Sequence, residues 1–312
     1  MPVGSEPRPG SSILELLLCV SIFVVLGLLV IPAVQKVRHL ANRLECQNRL
    51  KRLGLALHMH HDRRGVFPGL GGYCDERRYL LLTRSAEPGD QERLGLGTPA
   101  TVPENQAGSW IYQILPSLDA AAAAQIRGPR TSGMGLAVKD LLCPARGRPA
   151  LLDTPRADPL FAGVTYASVP PGLMQWARTD YAANGRLLPT RGQPLVRLSS
   201  VRPGLANAVL VGEKWLDPRA YASGGWLLDG PALVGGSTSA RTGCRVERDH
   251  SPEPLDLDTP SLDAWGSAHP SGAHFLFAGG HVQLIRHGVS EELFQRVLGP
   301  TPTLPDFDAD AD

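Results

Sequence analysis

The distribution of apolar positions divides the chain into one long helix and a body of short strands. From Ile13 to Ile31 every residue is apolar or small except Glu15 and Ser21. A helix needs ~20 such residues to cross a hydrocarbon core of ~30 Å, and this run is just long enough. It exceeds the apolar core of an ordinary secretory signal, and no small-residue cleavage site follows it. After Pro32 the pattern changes. Val34, Val37, Leu40, Ala41 and Leu44 alternate with Gln35, Lys36, Arg38, Asn42 and Arg43, and Cys46, Leu50, Leu53 and Leu57 continue the apolar stripe at i, i+4, i+7 and i+11. That spacing predicts an amphipathic helix, closing near His61 and Asp62 ahead of Gly65 and Pro68. The division expected is a hydrophilic leader at 1–10, a helix at 11–62 that spans a membrane over 13–34, a body at 63–299, and a disordered acidic tail at 300–312.

In the body the signals are shorter. Trp110 to Leu118 reads as a helix that Ala120 to Ala124 prolongs, and Leu136 to Leu142 as a strand stopped by Pro144. Ala208 to Gly212 is a continuous apolar run of buried-strand length, Gly224 to Leu228 a further candidate, and 229–263 reads as irregular. Ala273 to Ala278 and His281 to Ile285 flank Gly279-Gly280. That arrangement predicts a hairpin with a two-residue type I′ turn, which needs positive φ at both centres. Ser290 is placed to cap a last helix, Glu291 to Leu298, with acidic residues in its first turn. The fold class expected is α+β and pilin-like, a long N-terminal helix, transmembrane and then amphipathic, packed on a mainly antiparallel sheet.

Composition narrows the function classes. The net charge of +1 gives no field for nucleic acid, so no nucleic-acid partner is expected. High glycine and proline favour a loop-rich body over a helical bundle. Of the 5 cysteines, Cys19 lies in the apolar segment; Cys46, Cys74, Cys143 and Cys244 leave their disulfide pairings open. No pair is spaced as C-x-x-C, so neither a zinc ribbon nor a redox dithiol is expected. Lys36, Arg38 and Arg43 outweigh Arg8 on the other flank, so flanking charge alone favours a body on the cytoplasmic side.

Several stretches resemble a known family. Gly10-Ser11-Ser12-Ile13-Leu14-Glu15 is similar to a prepilin cleavage and methylation motif, with Ser11 standing where Phe is usual. Pro32 to Arg38, Cys46-Gln47-Asn48, Gly54 to His58, His61-Asp62 and Phe67-Pro68 resemble the planctomycete pilin-like proteins that carry the DUF1559 (solute-binding-like) domain. Trp110-Ile111, Cys143-Pro144, Asp180 to Asn184 and Leu210 to Glu213 match it as well. His269-Pro270 followed by Phe277 to Gly280 resembles the family's closing H-x9-D-G element, with Gly279 in place of Asp. The resemblance implies processing by a prepilin peptidase at Gly10, a mature N-terminus at Ser11, and Glu15 paired with that N-terminus in a neighbouring subunit. It also implies a structural closing element at His269, Gly279 and Gly280, and a body that is periplasmic or extracellular. The function implied is a pilin-like or pseudopilin-like surface protein, structural or secretion-associated and non-enzymatic, assembling with like subunits through its N-terminal helix. The alternative is an extracellular solute- or glycan-binding module tethered by that helix.

The remaining candidate residues add no reaction. His58, His61 and Asp62 share a helix face beside His60, without a metalloenzyme motif, and a solvated helix end is the expectation there. His274 and His281 could face one another across the hairpin, with His269 and His287 nearby, yet hydrogen bonding in the loop is the expected role of His269. Glu213 is expected to pair with an Arg or Lys. Trp176, Trp215, Trp226 and Trp265 are expected in the core rather than in a sugar site. Ser237 and Ser239 lack a nucleophile elbow. No metal and no cofactor are expected.

Overall fold

The structure, a computed structural model, describes residues 13–71, 104, 106, 108–125, 135–153, 175–202, 204–235, 239–253, 255 and 259–299. Gly10, Ser11, the leader, Cys74, Ser237 and the acidic tail lie outside the described residues. The chain forms two compact units, Met1–Leu44 and Glu45–Asp312.

Helix α1 runs from Ile13 to Arg64, 52 residues, continuous through Pro32. In the first unit its large apolar side chains are exposed, Ile13 by 78% and Phe23 by 75%. In the second unit the amphipathic stripe is buried: Cys46, Leu50, Leu53 and Leu57 are each at 0% exposure. The body then follows in short elements. α2 is Trp110–Leu118, α3 Ala120–Gln125, β1 Leu151–Asp153, β2 Gln175–Ala177, β3 Tyr181–Asn184 and β4 Val209–Glu213. Next come α4 Ala220–Ser223, α5 Trp226–Asp229, β5 Ala240–Arg241, β6 Val246–Arg248, β7 Trp265–Ser267, β8 Ala273–Phe277, β9 Val282–Ile285 and α6 Glu291–Leu298.

The principal sheet has the order β5-β3-β4-β8-β9, antiparallel except where β5 joins β3. β1 pairs with β2 antiparallel and β6 with β7 parallel. The fold is therefore α+β, a long helix on a mainly antiparallel sheet, as the hydrophobic pattern predicts. The pleat sends alternate side chains of β8 to opposite faces. Leu276 joins Leu50, Leu53, Ala56 and Leu57 of α1 in one core. Ala273, Phe275 and Phe277 join Trp265, Phe294 and Leu298 in a second core under α6. A Cβ on Gly54 would stand 2.8 Å from Leu276 Cδ1, so the missing side chain lets α1 lie close on β8. Asn184 holds the other side, donating to the carbonyls of Val209 (2.8 Å) and Leu298 (2.9 Å).

Four local expectations are corrected. Leu136 to Leu142 is not a strand but contains a 3-10 turn at Lys139–Leu141. Arg49 of α1 donates to the carbonyls of Lys139 and Leu142, which satisfies this backbone without a strand partner. Gly224 to Leu228 holds no strand: Gly224 has φ +64 and α5 starts two residues later. The stretch 229–263 is not irregular throughout, since β5 and β6 lie in it. The hairpin turn has a three-residue loop, with Phe277 donating to His281 O (2.9 Å) and Gly280 to Phe277 O (2.8 Å). Gly280 has φ +88, while Gly279 does not have positive φ, so the geometry is a type I turn with a glycine bulge rather than type I′. Position 279 therefore makes no demand that only glycine meets through positive φ.

Gly212 tests the packing of the sheet. A Cβ there would lie 2.4 Å from Phe275 Cδ1 and 2.8 Å from Trp265 Cε3, both ring atoms in the second core. Overpacking of this kind costs about 1–3 kcal/mol. Gly212→Ala is expected to lower the thermal midpoint by several degrees, measured by circular dichroism, with no change in secondary structure at low temperature.

Candidate functional site

Four sequence-distant residues converge in the body: Cys46, Cys143, Glu213 and His269 each offer one ligand atom, and these atoms all lie within 4.8 Å of one another. All four are buried, at 0%, 2%, 0% and 4% exposure. Each is positioned by a different element. Cys46 is the first buried residue of α1 among the described side chains. Cys143 follows the 3-10 turn that Arg49 holds, one helical turn from Cys46 on α1, and its N–H donates to Asp180 Oδ2. Glu213 ends β4. His269 sits in the loop between β7 and β8, where its N–H donates to Ser267 Oγ (3.1 Å) and its carbonyl contacts His287 Nε2 (2.9 Å).

The distances within the group are short. His269 Nε2 lies 3.5 Å from Cys143 Sγ and 3.5 Å from Glu213 Oε1. Glu213 Oε2 accepts from the His274 backbone N–H (2.7 Å) and lies 3.1 Å from His274 Nδ1. The two imidazoles are perpendicular, with centroids 5.1 Å apart. Burial alone would raise the Glu213 pKa, but the contacts with His269 and His274 outweigh it and hold the carboxyl well below the usual range. Burial disfavours the charged imidazole of His269, yet the contacts with Cys143 and Glu213 prevail and raise its pKa to about 10. Burial pushes the Cys143 thiol up. Glu213 Oε1, despite its 3.5 Å ionic contact with His269, has no aligned hydrogen bond, and the buried Tyr181 hydroxyl has no hydrogen-bond partner among the described residues. Tyr181 is close enough to Cys46, Cys143 and Glu213 to sense their charge.

A second buried group adjoins the first through Asp180 and Lys214. Arg146 pairs with Asp180 and Asp249 at 2.8 Å each, and Arg148 with Asp180 at 2.6 Å and with Asp229. Asp229 also takes Arg178 (2.5 Å) and Lys214 (3.2 Å). Burial pushes Lys214 down to about 7, with Asp229 opposing the shift and the nearby charges of Arg241 and Arg148 adding to it. Asp229, although buried, is held well below the usual carboxylate range by Arg148, Lys214 and Arg178.

The other candidates fall outside this convergence. Gly279 and Gly280 lie beyond the far end of β8 from His269, so the closing element is split between two places. His281 stacks on Phe277 at 4.5 Å, and His274 is opposite Leu284, so the two histidines do not face each other. His58, His60 and His61 meet different backbone groups, at Gly54 O, Val66 O and Leu198 N–H. Glu213 pairs with histidines rather than with the expected Arg or Lys. Trp176, Trp215 and Trp265 are fully buried, whereas the side chain of Trp226 is outside the described residues. Glu15 lies on α1 in the exposed apolar segment. Cys46, Cys143, Glu213 and His269 each stood out in the sequence, but only singly, and their spacing follows no ligand motif.

A family model described as a protein of unknown function (DUF1559) matches residues 35–291. No curated protein and no solved structure matches the chain.

The buried charges set an acid limit. A carboxyl with a depressed folded pKa contributes stability above its unfolded value, ~3.9 for Asp, and loses it as pH falls through the folded value. The thermal midpoint is therefore expected to fall steeply below about pH 4, the free aspartate range. Asp229→Asn, which leaves Arg148 and Arg178 short of a counter-charge, is expected to cost about 3–5 kcal/mol at pH 7 and to flatten that acid limb. Thermal melts of both proteins across pH check this.

Proposed function

The chain belongs to the DUF1559 family, and on that premise we propose that it is a pilin-like surface protein, anchored in a membrane by α1 and assembling with like subunits through that helix. The carrying observation is that α1 is one helix with two environments. Its first part exposes a run of large apolar side chains, and its second part is built into the core of the body. At ~1.5–3 kcal/mol for each large apolar side chain moved out of water, that run favours a membrane or a helical partner by on the order of 20 kcal/mol. A transient export signal does not require such continuity with a folded core.

In this reading a prepilin peptidase removes the leader after Gly10, and Ser11 becomes the N-terminus, close to Glu15. A carboxylate just inside the hydrocarbon needs a partner. The free amine of a neighbouring subunit supplies one, and the pair sets the stagger of adjacent helices. The body stands outside the cytoplasm and performs no catalysis.

The N-terminus of the protein purified from its native membrane, read by mass spectrometry, tests the processing. A chain beginning at Ser11 is expected, and one beginning at Met1 or Pro2 would sink this part. Glu15→Leu is expected to leave membrane insertion intact and to reduce subunit cross-linking within the membrane at least tenfold, the equivalent of about 1.4 kcal/mol in coupling. Unchanged cross-linking, or none in the unaltered protein, would leave α1 as a tether for a binding module.

A further inference from the structure

We propose that Cys46, Cys143, Glu213 and His269 form a structural zinc site that fastens α1 to the sheet. This goes beyond the assembly reading and does not rest on it.

The donor set is the first reason. Two sulfurs, one imidazole nitrogen and one carboxylate oxygen are ligands that Zn2+ takes in tetrahedral sites. Two thiolates argue against Mg2+ and Ca2+, which prefer oxygen. The distances are the second. Zn–S bonds of ~2.3 Å and Zn–N or Zn–O bonds of ~2.0–2.1 Å place tetrahedral ligands roughly 3.3–3.8 Å apart. The two edges from His269 Nε2, to Cys143 Sγ and to Glu213 Oε1, are both 3.5 Å, and the widest separation in the group is within 4.8 Å. Side-chain movements of about 1 Å would close the shell to zinc dimensions.

The surroundings are the third reason. The oxygen of Glu213 that faces the group, Oε1, lacks an aligned hydrogen bond, while Oε2 is held by the His274 backbone and ring. That is the arrangement of a metal-binding carboxylate: one oxygen free to ligate, the other fixed by its neighbours. Asp180 fixes the backbone of Cys143, and Ser267 fixes that of His269. A Cys46–Cys143 disulfide would consume both thiols and leave Glu213 Oε1 with its His269 contact but no aligned donor, whereas a metal would bind it directly. With four protein ligands and buried walls the site has no open position, so its role is to hold the fold rather than to activate water.

Metal content and thiol state of the full-length protein in detergent provide the test. Close to one zinc per chain is expected, with Cys46 and Cys143 resisting maleimide until a chelator removes the metal and reacting with it afterwards. Chelation is expected to lower the thermal midpoint, and zinc to restore it. Glu213→Gln and Cys143→Ser are each expected to lower zinc affinity by tenfold or more. Should these variants fail to fold, cobalt substitution of the unaltered protein keeps the test open. Co2+ is expected to give the thiolate charge-transfer and intense tetrahedral bands in the visible spectrum. A disulfide-linked Cys46–Cys143 peptide, zinc retained undiminished in both folded variants, or a cobalt spectrum without thiolate bands would each overturn the proposal.

Discussion

The body is organised around charges that it has removed from water. Asp180 and Asp229 lie at 0% exposure among Arg146, Arg148, Arg178 and Lys214, and each carboxylate serves at least two cations. Desolvating such groups costs several kcal/mol per ion, so the network is stable only as a complete set with its hydrogen bonds made. The guanidiniums complete it by donating to main-chain carbonyls: Arg146 to Lys214 and Gly266, Arg148 to Thr179, and Arg178 to Ala220 and Tyr221. In a chain with short strands and long connections, these donors do what longer ladders do elsewhere. They give the loops around β3, β4 and β7 a defined position.

The Cys-Glu-His group depends on that scaffold. Asp180 binds the Cys143 backbone with one oxygen and Arg146 with the other, and Lys214 follows Glu213 directly. Arg49 reaches from α1 to the carbonyl of Lys139, the first residue of the 3-10 turn, and to that of Leu142 just after it. The helix and the ionic network thus fix one cysteine between them, while the pleat of β4 and β8 brings in Glu213 and His274. Cys46 and Glu213 come from α1 and β4, while Cys143 and His269 come from loops held through their backbone groups.

What the sequence disclosed follows from the range of each interaction. α1, the β8–β9 hairpin, α2 and α6 are written in local periodicity and turn or cap residues, and Ser290 accepts the hydrogen bond its position implies. β5 and β6 carry no such mark. Each is two or three residues long and exists because a distant strand lies alongside it. The 3-10 turn at Lys139–Leu141 was hidden for the same reason: an arginine some ninety positions away satisfies its carbonyls. The candidate site is the extreme case. Its ligands lie at 46, 143, 213 and 269, and no spacing along the chain reveals that they share one volume.

The close seat of α1 on β8 also has a consequence in time. Leu50, Leu53 and Leu57 share one core with Leu276, more than two hundred positions later in the chain. Synthesis runs from the N-terminus, so the apolar stripe emerges long before the strand packed against it. With contacts of such long sequence separation, closure of the core is a late and slow event. During that interval the stripe is an exposed apolar surface of the kind that drives association of incompletely folded chains.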